Sequence, residues 1–135
     1  MAARLTHIAL HVRDLDASIA FYRDWCGMHL AHDRIDAGTG HRVVWLAQPG
    51  QDSRFVIVLI PGGHVDRQAA GDFSHLGIAL DSRDAVEATA GRAAAAGLLA
   101  WPVTDNPPPV GTYCGVCDPD GRVVEFSFGQ PLGQD

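Results

Sequence analysis

Two stretches of this chain alternate apolar and polar positions in the same way. In His7-Ile8-Ala9-Leu10-His11-Val12 every second residue is a large apolar one, and His75-Leu76-Gly77-Ile78-Ala79-Leu80 repeats the pattern. A period of two is that of a strand, whose successive side chains point to opposite faces. The two stretches begin 68 residues apart, at 7 and 75, and the segments downstream of them repeat too. The first leads into a helix over Ala17–Cys26, with Asp14 or Asp16 as its N-cap and Gly27 placed to stop it. The second leads into a helix over about Arg83–Ala96, opened by Asp81 or Ser82, rich in alanine and ended by Gly97. Three strand-like runs come after each helix: Met28–Ala31, Arg42–Ala47 and Arg54–Ile60, then Leu98–Val103, Thr112–Cys117 and Arg122–Phe128. Gln48-Pro49-Gly50-Gln51 and Asp118-Pro119-Asp120-Gly121 mark turns.

The pattern predicts an α+β fold of two tandem βαβββ modules, one over about 4–60 and one over about 73–129, joined by a linker at 61–72. Eight strands would form two curved four-stranded sheets around a concave cleft. A length of 135 residues suits a single domain spanning 1–135. The segment Trp101–Gly111, with its Pro-Pro-Pro run, reads as irregular structure, either a loop over the cleft or a stiff connector.

Composition narrows the partners. Apolar residues make up 47% of the chain and charged ones 19%, which is globular. The 10 basic residues, all Arg, are scattered and outnumbered by 16 acidic ones, so no nucleic-acid footprint is expected. The longest strongly apolar run, Phe55–Ile60, is a strand length, and no membrane partner is expected. Three cysteines make no disulfide framework, and with no signal-like N-terminus a cytoplasmic location is expected. Cys114 and Cys117 stand three apart on a strand and so face opposite ways, which disfavours a shared metal or disulfide.

Candidate chemistry lies on the faces that the helices leave open. Alternation puts His7, Ala9 and His11 on one face of the first strand, and His75, Gly77 and Ala79 on that of its repeat. In the last strand Val123, Glu125 and Ser127 turn away from apolar Val124, Phe126 and Phe128. A carboxylate that interrupts an apolar strand needs a partner. Two imidazoles and a carboxylate on equivalent faces suit a divalent metal with positions left open for water or substrate. The position mirroring Glu125 is Val58, which cannot ligate, so three protein ligands are expected: His7, His75 and Glu125. Glu125 is a candidate for proton transfer. His11 is a second candidate, for proton transfer or substrate contact, beside the reading of a solvated cleft residue. Tyr113 is either a hydrogen-bond donor to substrate or a rim residue, and Trp45 either a pocket wall or a core residue.

These residues resemble the vicinal oxygen chelate superfamily of glyoxalases, bleomycin-resistance proteins and extradiol dioxygenases. The resemblance rests on His7 through Tyr22 with Gly27-Met28, on Phe73-Ser74-His75-Leu76-Gly77-Ile78, and on Asp118-Pro119-Asp120-Gly121-Arg122-Val123-Val124-Glu125. It covers residues 4 to 129. It implies the same ligand positions, His7, His75 and Glu125, one divalent metal per site (Fe, Mn, Zn, Ni or Co), and a small substrate chelating through vicinal oxygens. It also implies a homodimer in which His7 of one subunit joins His75 and Glu125 of the other. Glyoxalase I has a metal-binding carboxylate where this chain has Val58, and extradiol dioxygenases have a catalytic Tyr where it has Gly115. Lyase or isomerase chemistry is expected first and ring cleavage second. The alternative is a metal-free small-molecule or antibiotic binder, although such members usually lack the His/His/Glu set.

Overall fold

Asp14 and Ser82 start the two helices by the same device. Asp14 Oδ1 accepts from Ala17 N at 3.0 Å and Ser82 Oγ accepts from Ala85 N at 3.0 Å, each satisfying an amide that the first turn leaves unpaired. Gly27, at φ +68°, ends the first helix in the left-handed region that a side chain would disfavour. The computed structural model describes residues 2–133 of the 135. Its elements are β1 (His7–Val12), α1 (Leu15–Cys26), β2 (His29–Ile35), β3 (Arg42–Ala47), β4 (Val56–Pro61), β5 (His75–Ala79), α2 (Arg83–Ala95), β6 (Leu99–Asp105), β7 (Thr112–Cys117) and β8 (Val123–Phe128).

The chain divides after Asp66 into two compact units. In unit 1 the sheet order is β1-β4-β3-β2, and in unit 2 it is β5-β8-β7-β6. The outer pairs β1–β4 and β5–β8 run parallel, and the remaining neighbours antiparallel. Each unit is thus a βαβββ module with a mixed sheet. In unit 1, α1 buries Ser18, Phe21, Tyr22 and Cys26, while Val12, Val44, Leu46 and Leu59 are fully or almost fully buried. In unit 2, α2 buries Val86, Ala90 and Ala93, and Val116, Val124 and Phe126 are completely buried. Each fully buried large apolar side chain contributes about 1.5–3 kcal/mol.

The structure departs from the periodicity in four places. The stretch from Trp101 is not irregular throughout, because β6 continues through Pro102 to Asp105. β6 is the edge strand, where a missing amide breaks no ladder, and its register slips between Trp101 and Thr104. β2 likewise runs on to Ile35 after a slip at Leu30/His32. Ile8, assigned to a packing face, is 39% exposed because β1 is also an edge. Phe128, at the end of β8, is 40% exposed.

Candidate functional site

Glu125 sits on β8, between β5 and β7, and its two lateral neighbours are glycines. Gly77 on one side and Gly115 on the other are its register partners, so no Cβ crowds the carboxylate from either strand. The residue is only 8% exposed. The Asp118–Arg122 turn launches its strand. There the buried Asp118 Oδ1 accepts from Asp120 N and Arg122 N, both at 2.9 Å.

His75 opens the edge strand β5 on the same face. Its Nδ1 lies 2.6 Å from the Phe73 carbonyl, which can only accept, so the proton sits on Nδ1. In the neutral ring that leaves the lone pair on Nε2, which lies 3.6 Å from Glu125 Oε2. An imidazole nitrogen and a carboxylate oxygen at that distance can share a proton or a metal ion. A backbone carbonyl on the far nitrogen is the partner that orients metal-bound histidines. The segment before His75 is pinned by Gln68. Its Nε2 donates to Asp72 O (2.6 Å) and Ser74 O (2.7 Å), while its Oε1 accepts from Val123 N (3.1 Å) at the start of β8. Asp72 Oδ1 accepts from Ser74 N, a bond that holds this carboxyl below the usual range.

Trp101 completes this face. Its ring centroid is 5.3 Å from that of His75 with the planes at 84°, and it also meets Tyr113 at 6.3 Å and Phe73 at 6.1 Å. The indole lies over Gly115, where a Cβ would stand 2.8 Å from the ring. Tyr113 is half-buried and touches the pair only through Trp101. Cys114, its neighbour in β7, points to the other face and its thiol donates to Val86 O at 3.8 Å. Burial, with Glu125's charge adding, pushes that thiol up to about 11.

Unit 1 carries the matching face without the carboxylate. Ala9, Val58 and Trp45 are register partners there, where unit 2 has Gly77, Glu125 and Gly115. A cavity of about 530 Å³ opens on this face, lined by His7, Ala9, Trp45, Arg54, Val58 and Ile60 among others. Trp45 is 37% exposed and packs on His32 with centroids 4.6 Å apart. His7 Nδ1 lies 2.9 Å from Thr6 Oγ1, and a hydroxyl leaves either tautomer open. His11 is exposed at the end of β1 against Gly63 and does not line the cavity.

Of the expected site residues, His75 and Glu125 come together in unit 2 and His7 and Trp45 in unit 1, while His11 stands apart. Among the described residues no three His, Cys, Asp or Glu side chains converge as a set that could hold a metal ion. No helix among them is long and apolar enough to cross a membrane. Sequence reasoning missed Trp101 and Gln68. The signal for Trp101 was Gly115, a glycine inside a strand, which marks a close approach. Gln68 gave no signal, because its partners lie in the loop before β5 and at the start of β8.

The sequence signature of the Glyoxalase/Bleomycin resistance protein/Dioxygenase superfamily spans residues 4–126. The chain belongs to that superfamily. It is 56% identical over 133 residues to an uncharacterized protein of Pseudomonas aeruginosa, covering 98% of this chain and 94% of that one. It is 32% identical over 128 residues to a probable lactoylglutathione lyase of Vibrio cholerae, covering 91% and 88%. In fold it matches a variant of the fosfomycin resistance protein FosX from Listeria monocytogenes, crystallised with Mn(II) and a dihydroxypropylphosphonic acid. That match has a TM-score of 0.70 at 20% identity and covers 98% and 96% of the two chains.

Proposed function

We propose that this protein is a divalent-metal-dependent enzyme acting on a small substrate that chelates through two neighbouring oxygens. The observation that carries the proposal is the His75–Glu125 pair, an oriented imidazole nitrogen facing a nearly buried carboxylate across 3.6 Å. Those two groups would supply two ligands. His7, at the repeat position of His75, is proposed as the third, contributed by a second copy of the chain in a homodimer. Nitrogen and carboxylate oxygen together suit Fe, Mn, Zn, Ni or Co. The metal, when bound, supplies Lewis-acid stabilisation of negative charge developing on a substrate oxygen.

The chain's own groups would do the rest. We assign proton transfer to Glu125 over His11, because Glu125 stands within the paired site and His11 lies outside the cavity that His7 lines. Gly77 leaves room for a substrate atom beside the carboxylate on one flank. Trp45 and the apolar cavity would hold the organic part of the substrate, with Tyr113 at the rim of the pair. Lyase or isomerase chemistry comes first, supported by the Vibrio cholerae relative's name. Ring cleavage comes second, because Gly115 cannot supply the phenol that such a reaction would draw on.

The test is elemental analysis of protein purified without chelator, beside His75→Ala, His7→Ala and Glu125→Ala. About one divalent ion per wild-type chain and little in each variant is expected. If the site is shared between copies, mixing His7→Ala with Glu125→Ala and allowing exchange restores about a quarter of the sites, the share left intact in mixed dimers. No metal in the wild type, even after reconstitution, would overturn the enzyme reading in favour of a metal-free binder. Glu125→Ala would then keep its ligand affinity.

A further inference from the structure

From the stacking around Gly115 we infer that Trp101 is a positioning residue for the His75–Glu125 pair, an indole wall that locks His75 in the orientation aiming Nε2 at the carboxylate. The inference rests on the proposed metal site and concerns how this chain builds it. His75 begins an edge strand and its side chain is 35% exposed, so the strand alone does not fix its ring. Two contacts do. Phe73 O holds Nδ1 at 2.6 Å from one side, and the Trp101 ring stands at 84° and 5.3 Å from the other, within the favoured edge-to-face range.

The placement of Trp101 is itself unusual. It starts from the outermost strand of the sheet and reaches inward across β7, which is possible only because position 115 carries no side chain. Gly115 is the register partner of both Trp101 and Glu125, so the indole covers the strip of sheet directly beside the carboxylate. An apolar plate there keeps water off one flank of the pair and strengthens its electrostatics. Unit 1 has no such arrangement. The tryptophan of its sheet, Trp45, occupies the Gly115-equivalent place itself and meets His32, with Val58 where the carboxylate would be.

The test uses the full-length protein and two readouts. Co²⁺ affinity is measured by equilibrium dialysis, and the tautomer of His75 by long-range ¹H–¹⁵N spectra of metal-free protein at a fixed, mildly alkaline pH. Trp101→Ala is expected to weaken Co²⁺ binding about 10- to 100-fold, the usual effect of losing an outer partner of a metal ligand. It should also turn the single Nδ1–H form of His75 into a mixture while leaving His7 unchanged. Gly115→Ala, whose Cβ would push the indole aside, is expected to change both readouts in the same direction by less. Trp101→Phe keeps a ring over Gly115 and should stay near wild type, which separates positioning from general loss of fold. Wild-type affinity and an unmixed tautomer in both Trp101→Ala and Gly115→Ala would overturn the inference. A wild type that binds no Co²⁺ would overturn the metal reading instead, and the tautomer spectra would still decide the role of Trp101.

Discussion

The two units share element order, the register around the central strand and a side-chain N-cap on each helix, yet the same spot on each sheet holds opposite chemistry. In unit 1 the central position is Val58, between Ala9 and Trp45 and clustered with Val43, Ala47 and Val56. In unit 2 it is Glu125, between Gly77 and Gly115. The tryptophans have changed places as well, one on the strand beside the central one and the other a strand further out. A β-sheet position is therefore neither core nor site by its place in the fold. Its lateral neighbours decide. Alanine and tryptophan flank a valine that lines an open cavity, whereas two glycines flank a carboxylate and Trp101, from a third strand, stands over one of them.

The strongest way to break this comparison is to make unit 2 resemble unit 1. Glu125→Val should abolish metal binding, a loss of more than about 100-fold. It should not lower the urea midpoint, because removing a nearly buried carboxylate offsets the change in packing. A variant that still holds metal at wild-type stoichiometry would refute the assignment of Glu125. The reverse change, Val58→Glu, places a carboxylate between Ala9 and Trp45 with no glycine gap arranged for it. Its expected cost is roughly 2–3 kcal/mol in urea unfolding. An unchanged midpoint would show that unit 1 already tolerates charge at this place.

The two glycines sharpen the contrast. Gly115→Ala meets the indole at 2.8 Å and should cost about 1–3 kcal/mol, as overpacking does. At Gly77 the added Cβ would stand 3.6 Å from Glu125 Oε2, an ordinary contact, so Gly77→Ala should cost less than about 1 kcal/mol. Equal unfolding midpoints for the two variants would contradict the wall at Gly115.

The smallest effect concerns what the units have in common, an exposed arginine clamp at each sheet edge. Arg42 bridges Asp16 and Asp33 in unit 1, and Arg83 bridges Glu87 and Asp105 in unit 2. Hydrogen bonds from Arg83, then Thr112, hold Asp105 down to about 2. A lowered carboxyl stabilises the folded chain above its unfolded value and loses that contribution as pH falls from about 4 toward 2. Arg83→Ala should therefore lower thermal stability slightly at neutral pH, and the difference from wild type should vanish near pH 2. A difference that persists at that pH would mean the clamp acts by packing.

Much of the frame was legible from local pattern. The caps, narrowed to Asp14 or Asp16 and to Asp81 or Ser82, Gly27 as a stop, and the ends of β3 and β7 come from short-range rules that depend on a few adjacent residues. The shared faces of His75 with Gly77, and of Glu125 with Ser127, come from a period of two. Less legible were the ends of β2 and β6, where bulges let an edge strand run on past residues that look like breakers. The exposure of Ile8 was not legible either, since alternation says which face a side chain takes and not whether anything covers that face.

What the amino-acid order determined by itself, then, is the repeat, the helix and strand positions, and the candidate set His7, His75 and Glu125. These depend on contacts between residues close in the chain. What only the tertiary structure decided is how those residues are dressed: Gln68 tying 68–75 to β8, the indole of Trp101 over Gly115, and His11 against Gly63. Each of these depends on which strand is central, which is an edge, and where a loop returns. Those are long-range choices, settled when the sheet assembles, and no local periodicity records them.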